Sequence, residues 1–310
     1  MIKTILISTS SFGKFSNEPL NLLKETFEKV VFNPYGRKLT EKEILVLIRE
    51  HQPVGIIAGV EPLTKNVLQV ADHLKIISRA GIGVDNIDLN EAKKLNIAVT
   101  NTPDAPTIPV AELTVGMMLS LLRKIHQSDQ AIRMGVWDRP MGELLNGKTV
   151  GLIGCGRIGQ TVSKILAAFG CNIFGCDPVC CKNKIISFLQ FEELLKSSDI
   201  VSLHVPYSKE TRHIINAKTI ALMKNDAYLI NASRGGLVDE EALYNALQNG
   251  SLSGAALDSF EEEPYRGPLT KLDNVLLTSH IGSYAKEGRI AMEKHAVENL
   301  LSELHKAGVT

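Results

Sequence analysis

Apolar and polar positions follow one another along this chain in two rhythms. Nearly continuous apolar runs at Ile2–Ser8, Val54–Gly59, Lys75–Arg79 and Ile97–Thr100 predict strands. Between them Glu41–His51, Thr64–Asp72 and Leu89–Leu95 carry the spacing of helices. After a break the rhythm returns, with strands expected at Thr149–Ile153, Asn172–Cys176, Ile200–Val205, Ala227–Asn231, Gly254–Asp258 and Val275–Thr278. These runs do not alternate apolar with polar, as strands buried on both faces require. Strand–helix alternation of this kind predicts parallel sheets covered on both sides. The expected class is α/β, in two doubly wound parallel-sheet units.

The break is "NTPDAPTIPVAELTVGMMLSLLRKI". Asn101-Thr102-Pro103 and two further prolines punctuate it. Val110, Leu113, Val115, Met117, Met118, Leu121 and Leu122 then recur at helical spacing. The pattern predicts a hinge and one long helix ending before Trp137, and a last helix within Ser283–Lys306.

A chain of 310 residues is long enough for two cores. Its formal net charge of zero argues against a nucleic-acid or membrane-surface partner. No apolar segment approaches 18 residues, and the N-terminus reads as a strand and not a signal peptide. The five cysteines lie between Cys155 and Cys181 without paired metal-ligand spacing. Free thiols in a reducing cytoplasm are the expectation, with no metal site in the group Cys171, Cys176, Cys180 and Cys181.

The second unit opens with "GKTVGLIGCGRIGQTVSKILAAFGCNIFGCDP", in which Gly154, Gly156 and Gly159 form G-x-G-x-x-G. Such a triplet alone is a weak signal. Here a buried-strand run precedes it, a helical stretch Gln160–Phe169 follows, and a second strand ends in Asp177. Gly154 permits the tight turn, Gly156 lets the backbone approach a pyrophosphate, and Gly159 lets helix and strand pack. The helix N-terminus offers N–H groups to that anion. Asp177 would accept from the ribose hydroxyls and repel a 2′-phosphate, favouring NAD over NADP. A glycine turn beside a capping aspartate is the plainer alternative.

Three later stretches, "LINASRGGLVDE", "GAALDSFEEEP" and "LLTSHIGSY", end expected strands, where ligands of open α/β sheets sit. They contribute Arg234, the run Glu261-Glu262-Glu263, and His280. Arg234 would hold a carboxylate bidentately, although pairing with Asp239 or Glu240 on the surface is the ordinary alternative. A histidine suits the proton transfer that accompanies hydride transfer at a carbinol carbon, with a carboxylate fixing its tautomer. If the backbone before Pro264 is extended, Glu261 and Glu263 face one side and Glu262 the other. The residues themselves leave Glu261 and Glu263 undecided.

At these residues the chain resembles the D-isomer-specific 2-hydroxyacid dehydrogenases, most of all their phosphoglycerate dehydrogenase branch. The likeness spans Val54 to Ser283 and includes "SRAGIGVDNIDL", "VAELTVGMMLSLLR", "RMGVW", "LNGKTVGLIGCGRIG", "DIVSLHVP", "LINASRGGLVDEEAL", "GAALDSFEEEP" and "LLTSHIGS". The resemblance implies two Rossmann/flavodoxin-like domains. Residues 1–100 with 284–310 would form a substrate domain, and 101–283 an inserted NAD-binding domain. It implies Arg234, Glu263 and His280 as the catalytic residues, which leaves Glu261 and Glu262 as solvated charge. For NAD it implies Gly154, Gly156, Arg157, Ile158, Gly159, Asp177, His204, Pro206, Ala232, Asp258, Gly282 and Thr107. For substrate it implies Arg79, Ala80, Gly81 and Arg139, the last reaching in from a neighbouring subunit. It further implies a cytoplasmic homodimer joined through the cofactor domains.

Two positions depart from the phosphoglycerate pattern: Ala58 stands where that branch has an arginine, and Pro106 where it has an asparagine. With the end at Thr310, no C-terminal regulatory domain and no serine feedback are expected. The expected reaction is NAD-linked interconversion of a 2-hydroxy and a 2-oxo acid, with 3-phosphoglycerate leading. The alternatives are a hydroxypyruvate or glyoxylate reductase, and an NAD-sensing, corepressor-like binding protein on the same fold.

Overall fold

The computed structural model of the chain describes residues 3–179 and 183–309. Ile2, Cys180 and Cys181 lie outside the described residues. The chain divides into two compact units, Met1–Pro106 with Ser283–Thr310, and Thr107–Gly282.

The first unit is a five-stranded parallel sheet of β1 (Thr4–Ile7), β2 (Lys29–Phe32), β3 (Gly55–Ala58), β4 (Ile76–Arg79) and β5 (Ala98–Thr100), in the order β2-β1-β3-β4-β5. Its helices are α1 (Glu18–Thr26), α2 (Glu41–His51), α3 (Lys65–Leu68) and α4 (Leu89–Lys94). Successive strand residues serve opposite faces, which is why the runs are apolar throughout. Leu6, Ile56 and Ile77 join the core under α2, where Ile44 and Ile48 are fully buried. Ile5, Ile57 and Ile76 join the other core, against Ala296, Val297, Leu300 and Leu304 of the C-terminal helix. The edge strand β2 is not foreseen from the pattern, because Lys29 and Phe32 at its ends are exposed.

The second unit is a seven-stranded parallel sheet in the order β12-β11-β10-β9-β6-β7-β8. Its strands are β6 (Thr149–Ile153), β7 (Asn172–Cys176), β8 (Ser187–Phe188), β9 (Ile200–Leu203), β10 (Tyr228–Asn231), β11 (Gly254–Leu257) and β12 (Val275–Leu277). The helices are α5 (Thr107–Leu122), α6 (Ile125–Arg133), α7 (Arg157–Ala168), α8 (Phe191–Ser197), α9 (Ala217–Ile220) and α10 (Glu240–Gln248), and α11 (Lys286–Lys306) returns to the first unit. Strand order reverses between β6 and β9, which is where such sheets bind ligands.

The expected single helix up to Trp137 is two helices. Lys124 adopts φ 52°, and the returning chain covers the end of α5, with the Glu143 N–H donating to the Leu122 carbonyl at 2.8 Å. The apolar stripe also stops there. α5 buries eight residues, whereas α6 buries none. The helix expected over Thr64–Asp72 shrinks to α3. None of the described helices is long and apolar enough to cross a membrane.

Candidate active site

β6 delivers the glycine loop to the point where strand order reverses. Gly154 has φ +96°, and a Cβ there would sit 2.6 Å from the His204 carbonyl oxygen. A Cβ on Gly159 would sit 2.2 Å from the Gly154 oxygen, so neither position admits a side chain. A Cβ on Gly156, by contrast, would meet nothing within 4 Å. The turn therefore leaves open backbone at the N-terminus of α7, a cradle that fits a dinucleotide pyrophosphate. Arg157 is exposed at the start of α7, and Ile158 packs half-buried on the core.

Asp177 follows β7 and reaches back to the loop. Its Oδ2 accepts the Cys155 N–H at 2.7 Å and its Oδ1 the Val179 N–H at 2.8 Å. A carboxylate has about four lone-pair sites, so roughly two remain for further donors. Across the reversal point, the His204 N–H donates to the Ile153 oxygen at 2.7 Å. The His204 Nε2 lies 3.0 Å from the Ser202 hydroxyl. Burial lowers its pKa to about 4, so the ring is neutral at pH 7. Pro206 beyond it is exposed, Ala232 is half-buried after β10, and Thr107 opens α5.

The three catalytic candidates leave the ends of β10, β11 and β12. Arg234 is set by its neighbours. Asn231 donates to the Arg234 carbonyl at 2.8 Å, the Ser233 hydroxyl donates to Val205 at 2.7 Å, and Arg234 Nη1 donates to Ser233 at 2.9 Å. Asp239 instead caps α10 through the Ala242 N–H, and Glu240 accepts the Glu261 N–H at 2.7 Å.

His280 has φ 57°, a left-handed backbone uncommon for a residue with a side chain. The buried carboxylate of Asp258 holds it there. Oδ1 accepts the Thr278 hydroxyl at 2.6 Å and the Ile281 N–H at 2.7 Å, and Oδ2 accepts the Gly282 N–H at 2.7 Å. Three of about four lone pairs are thus used within the loop, leaving one for a further donor. His280 Nδ1 lies 3.0 and 3.1 Å from the two oxygens of Glu263. With a carboxylate as acceptor, the ring hydrogen sits on Nδ1 and Nε2 is left to carry a proton outward.

Geometry thus separates the three glutamates. Glu263 meets His280. The expectation that Glu261 is merely solvated is corrected, because its Oε1 lies 2.6 Å from His213 Nε2. Burial, reinforced by the charges of Glu261 and Glu263, raises the Glu240 carboxyl above the usual range. His213 was missed by sequence reasoning, since nothing local marks a histidine 48 positions from its partner, and Glu240 was weighed only as a surface partner of Arg234.

In the first unit, Arg79 ends β4 almost buried, its Nη1 donating to the Ala80 carbonyl. A Cβ on Gly81 would fall 2.5 Å from that nitrogen, so glycine makes room for the guanidinium. Ala80 and Gly81 are buried, and Gly81 exchanges hydrogen bonds with Thr102. Ala58 is fully buried at the end of β3 and supplies no cation. Arg139 lies in the second unit, exposed two positions after Trp137.

Residues 115–282 match the NAD-binding domain of the D-isomer specific 2-hydroxyacid dehydrogenases. The D-3-phosphoglycerate dehydrogenase of Methanocaldococcus jannaschii is 46% identical over 82% of this chain and 50% of its own length. The glyoxylate reductase of Thermofilum pendens is 42% identical over 92% and 88%, and the hydroxypyruvate reductase of Thermotoga maritima 41% over 85% and 89%. The chain therefore spans half of the first relative and almost nine-tenths of the other two. Among solved structures, the TT0316 protein of Thermus thermophilus matches with TM-score 0.89 and 37% identity, over 98% of this chain and 97% of that one. Fingerprint, fold and these likenesses agree: the chain belongs to the D-isomer specific 2-hydroxyacid dehydrogenase family.

Proposed function

We propose that the chain is an NAD-dependent D-2-hydroxyacid dehydrogenase that interconverts a 2-hydroxy and a 2-oxo acid. The observation that carries this reading is the Glu263 carboxylate bracketing Nδ1 of His280 in the same unit as the glycine cradle. NAD, when bound, supplies the hydride chemistry. Its pyrophosphate would lie on Gly156, Arg157 and Ile158, its ribose at Asp177, and its nicotinamide end near Ala232, Asp258 and Gly282. Thr107, His204 and Pro206 would line the same cofactor.

His280 would hand a proton from Nε2 to the carbonyl oxygen in reduction, and take it back in oxidation. Glu263 accepts from the opposite nitrogen and so fixes the tautomer and the orientation of the ring. Arg234 would grip the substrate carboxylate and polarise the neighbouring carbonyl. Arg79, Ala80, Gly81 and a neighbouring subunit's Arg139 would complete the substrate contacts. The substrate we propose first is the 3-phosphoglycerate and 3-phosphohydroxypyruvate pair, as for the relative at 46% identity. Hydroxypyruvate or glyoxylate is the second reading, supported by Ala58, which removes a cation that a phosphate would use. Losing one such contact costs about 1.5–3 kcal/mol.

The exposed apolar side chains of Trp137 and Met141, 78% and 85% accessible, support a homodimer joined through the second unit. The free thiols of Cys155, Cys171 and Cys176 suit a cytoplasmic protein.

The test is NADH oxidation with 3-phosphohydroxypyruvate, hydroxypyruvate and glyoxylate. Turnover of one or more is expected, and their kcat/KM values rank the substrates. Tight NADH binding with no turnover would replace the enzyme reading by an NAD sensor.

A further inference from the structure

Glu261 and Glu263, two positions apart, each meet a histidine, and the Glu261 pair has no part in the proton transfer described above. His213 Nε2 lies 2.6 Å from Glu261 Oε1, with both side chains partly exposed. A hydrogen-bonded pair of that exposure adds at most about 1 kcal/mol to stability, so stability alone gives it little purpose.

Its surroundings give it another. The His213 N–H donates to the Gly236 carbonyl at 2.9 Å, and His213 has φ 49°. The turn that follows Arg234 lies directly on the backbone before Glu263. A Cβ on Gly235 would fall 1.9 Å from the Phe260 carbonyl carbon and 2.4 Å from the Glu261 nitrogen. That same Glu261 N–H donates to Glu240 Oε1 at 2.7 Å. The Phe260 N–H in turn donates to Glu263 Oε1 at 3.2 Å, and the Phe260 ring stacks on Tyr265 at 4.4 Å. Glu261 is thus gripped by its side chain from His213 and by its backbone from Glu240. Glu263 follows two positions later.

We infer that His213, Glu261 and Glu240 form a positioning clasp that ties the Arg234 turn to the Glu263 loop and sets the Glu263 carboxylate against His280. This rests on the dehydrogenase reading of Glu263 and His280. None of its three residues is among those expected to hold substrate or cofactor. It acts through Glu263, so releasing it changes kcat and leaves cofactor binding alone. Glu263 is exposed, and a glutamate side chain turns about several bonds, so its backbone must be held for its carboxylate to stay aligned.

The experiment compares His213→Ala, Glu261→Ala and His213→Gln with the unaltered protein, using kinetics and the nitrogen NMR shift of His280 Nδ1, assigned by its loss in His280→Ala. His213→Ala and Glu261→Ala should each lower kcat about tenfold, with KM and NADH Kd within about twofold, and should move the Nδ1 signal. Their double variant should be no worse than either alone. His213→Gln, whose amide can donate to Glu261, should restore both readouts. An unchanged Nδ1 signal in His213→Ala and Glu261→Ala would overturn the clasp. If the unaltered protein turns over no 2-oxo acid, the dehydrogenase reading falls, while the Nδ1 signal still decides the positioning claim.

Discussion

Both carboxylate oxygens of Glu263 lie within 3.1 Å of Nδ1 of His280. The imidazole is thereby oriented with one nitrogen committed to the protein and the other available for chemistry. His280→Ala should lower kcat by about 10²–10⁴-fold, the usual contribution of a general acid, with NADH Kd nearly unchanged. Glu263→Gln keeps a hydrogen-bonding partner but no longer fixes the ring hydrogen on Nδ1, so kcat should fall by about tenfold or more while NADH Kd stays nearly unchanged. Turnover retained by His280→Ala would place the proton carrier elsewhere.

Asp177 is poised between the glycine loop and the expected ribose. Asp177→Ala removes the like charge that would face a 2′-phosphate, a repulsion of several kcal/mol. The kcat/KM preference for NADH over NADPH should shrink by about two orders of magnitude. Because the Cys155 N–H also loses its acceptor, some weakening of NADH binding should accompany it. An unchanged preference would remove Asp177 from the ribose site.

His204 predicts a specific pH dependence of stability. Its folded-state pKa of about 4 lies below the ordinary histidine value because burial disfavours the charged ring. Between those two values the unfolded chain binds the extra proton, so stability is lost as pH falls from about 6.5 toward 4. The loss amounts to at most about 3 kcal/mol. Urea denaturation at pH 7.5 and 5.0 should show a smaller acid-side loss in His204→Gln than in the unaltered protein. Equal losses would mean that His204 is protonated at little cost in the folded state.

The segment from Ile132 to Leu144 carries six large apolar side chains, Ile132, Met134, Val136, Trp137, Met141 and Leu144, each more than half exposed. If a second copy covers them, Met141→Glu should convert the dimer to a monomer in sedimentation velocity. Substrate KM should rise as well, because Arg139 would no longer reach a neighbouring site. A monomeric unaltered protein would dismiss both the dimer and the role given to Arg139.

Much of the architecture was written in local pattern. The helix expected at Glu41–His51 is the observed α2, because its apolar face at Ile44, Leu47 and Ile48 needs no distant partner to be read. The glycine fingerprint was legible for the same reason, since all its parts lie within one strand–turn–helix stretch. The break of the expected long helix was not, because its stop depends on chain returning at Gly142 and Glu143 to cover Leu122.

The run of three glutamates divides what each source decided. By itself the sequence determined that carboxylates, an arginine and a histidine stand at the ends of buried parallel strands beside a dinucleotide fingerprint. Which carboxylate faces which histidine was decided only by the tertiary structure. Strand order brings β10, β11 and β12 side by side, and the Asp258 bonds turn His280 into a left-handed backbone toward Glu263. The Gly235 contact and the His213 side chain fix Glu261 from residues 26 and 48 positions away, too far for any local periodicity to record.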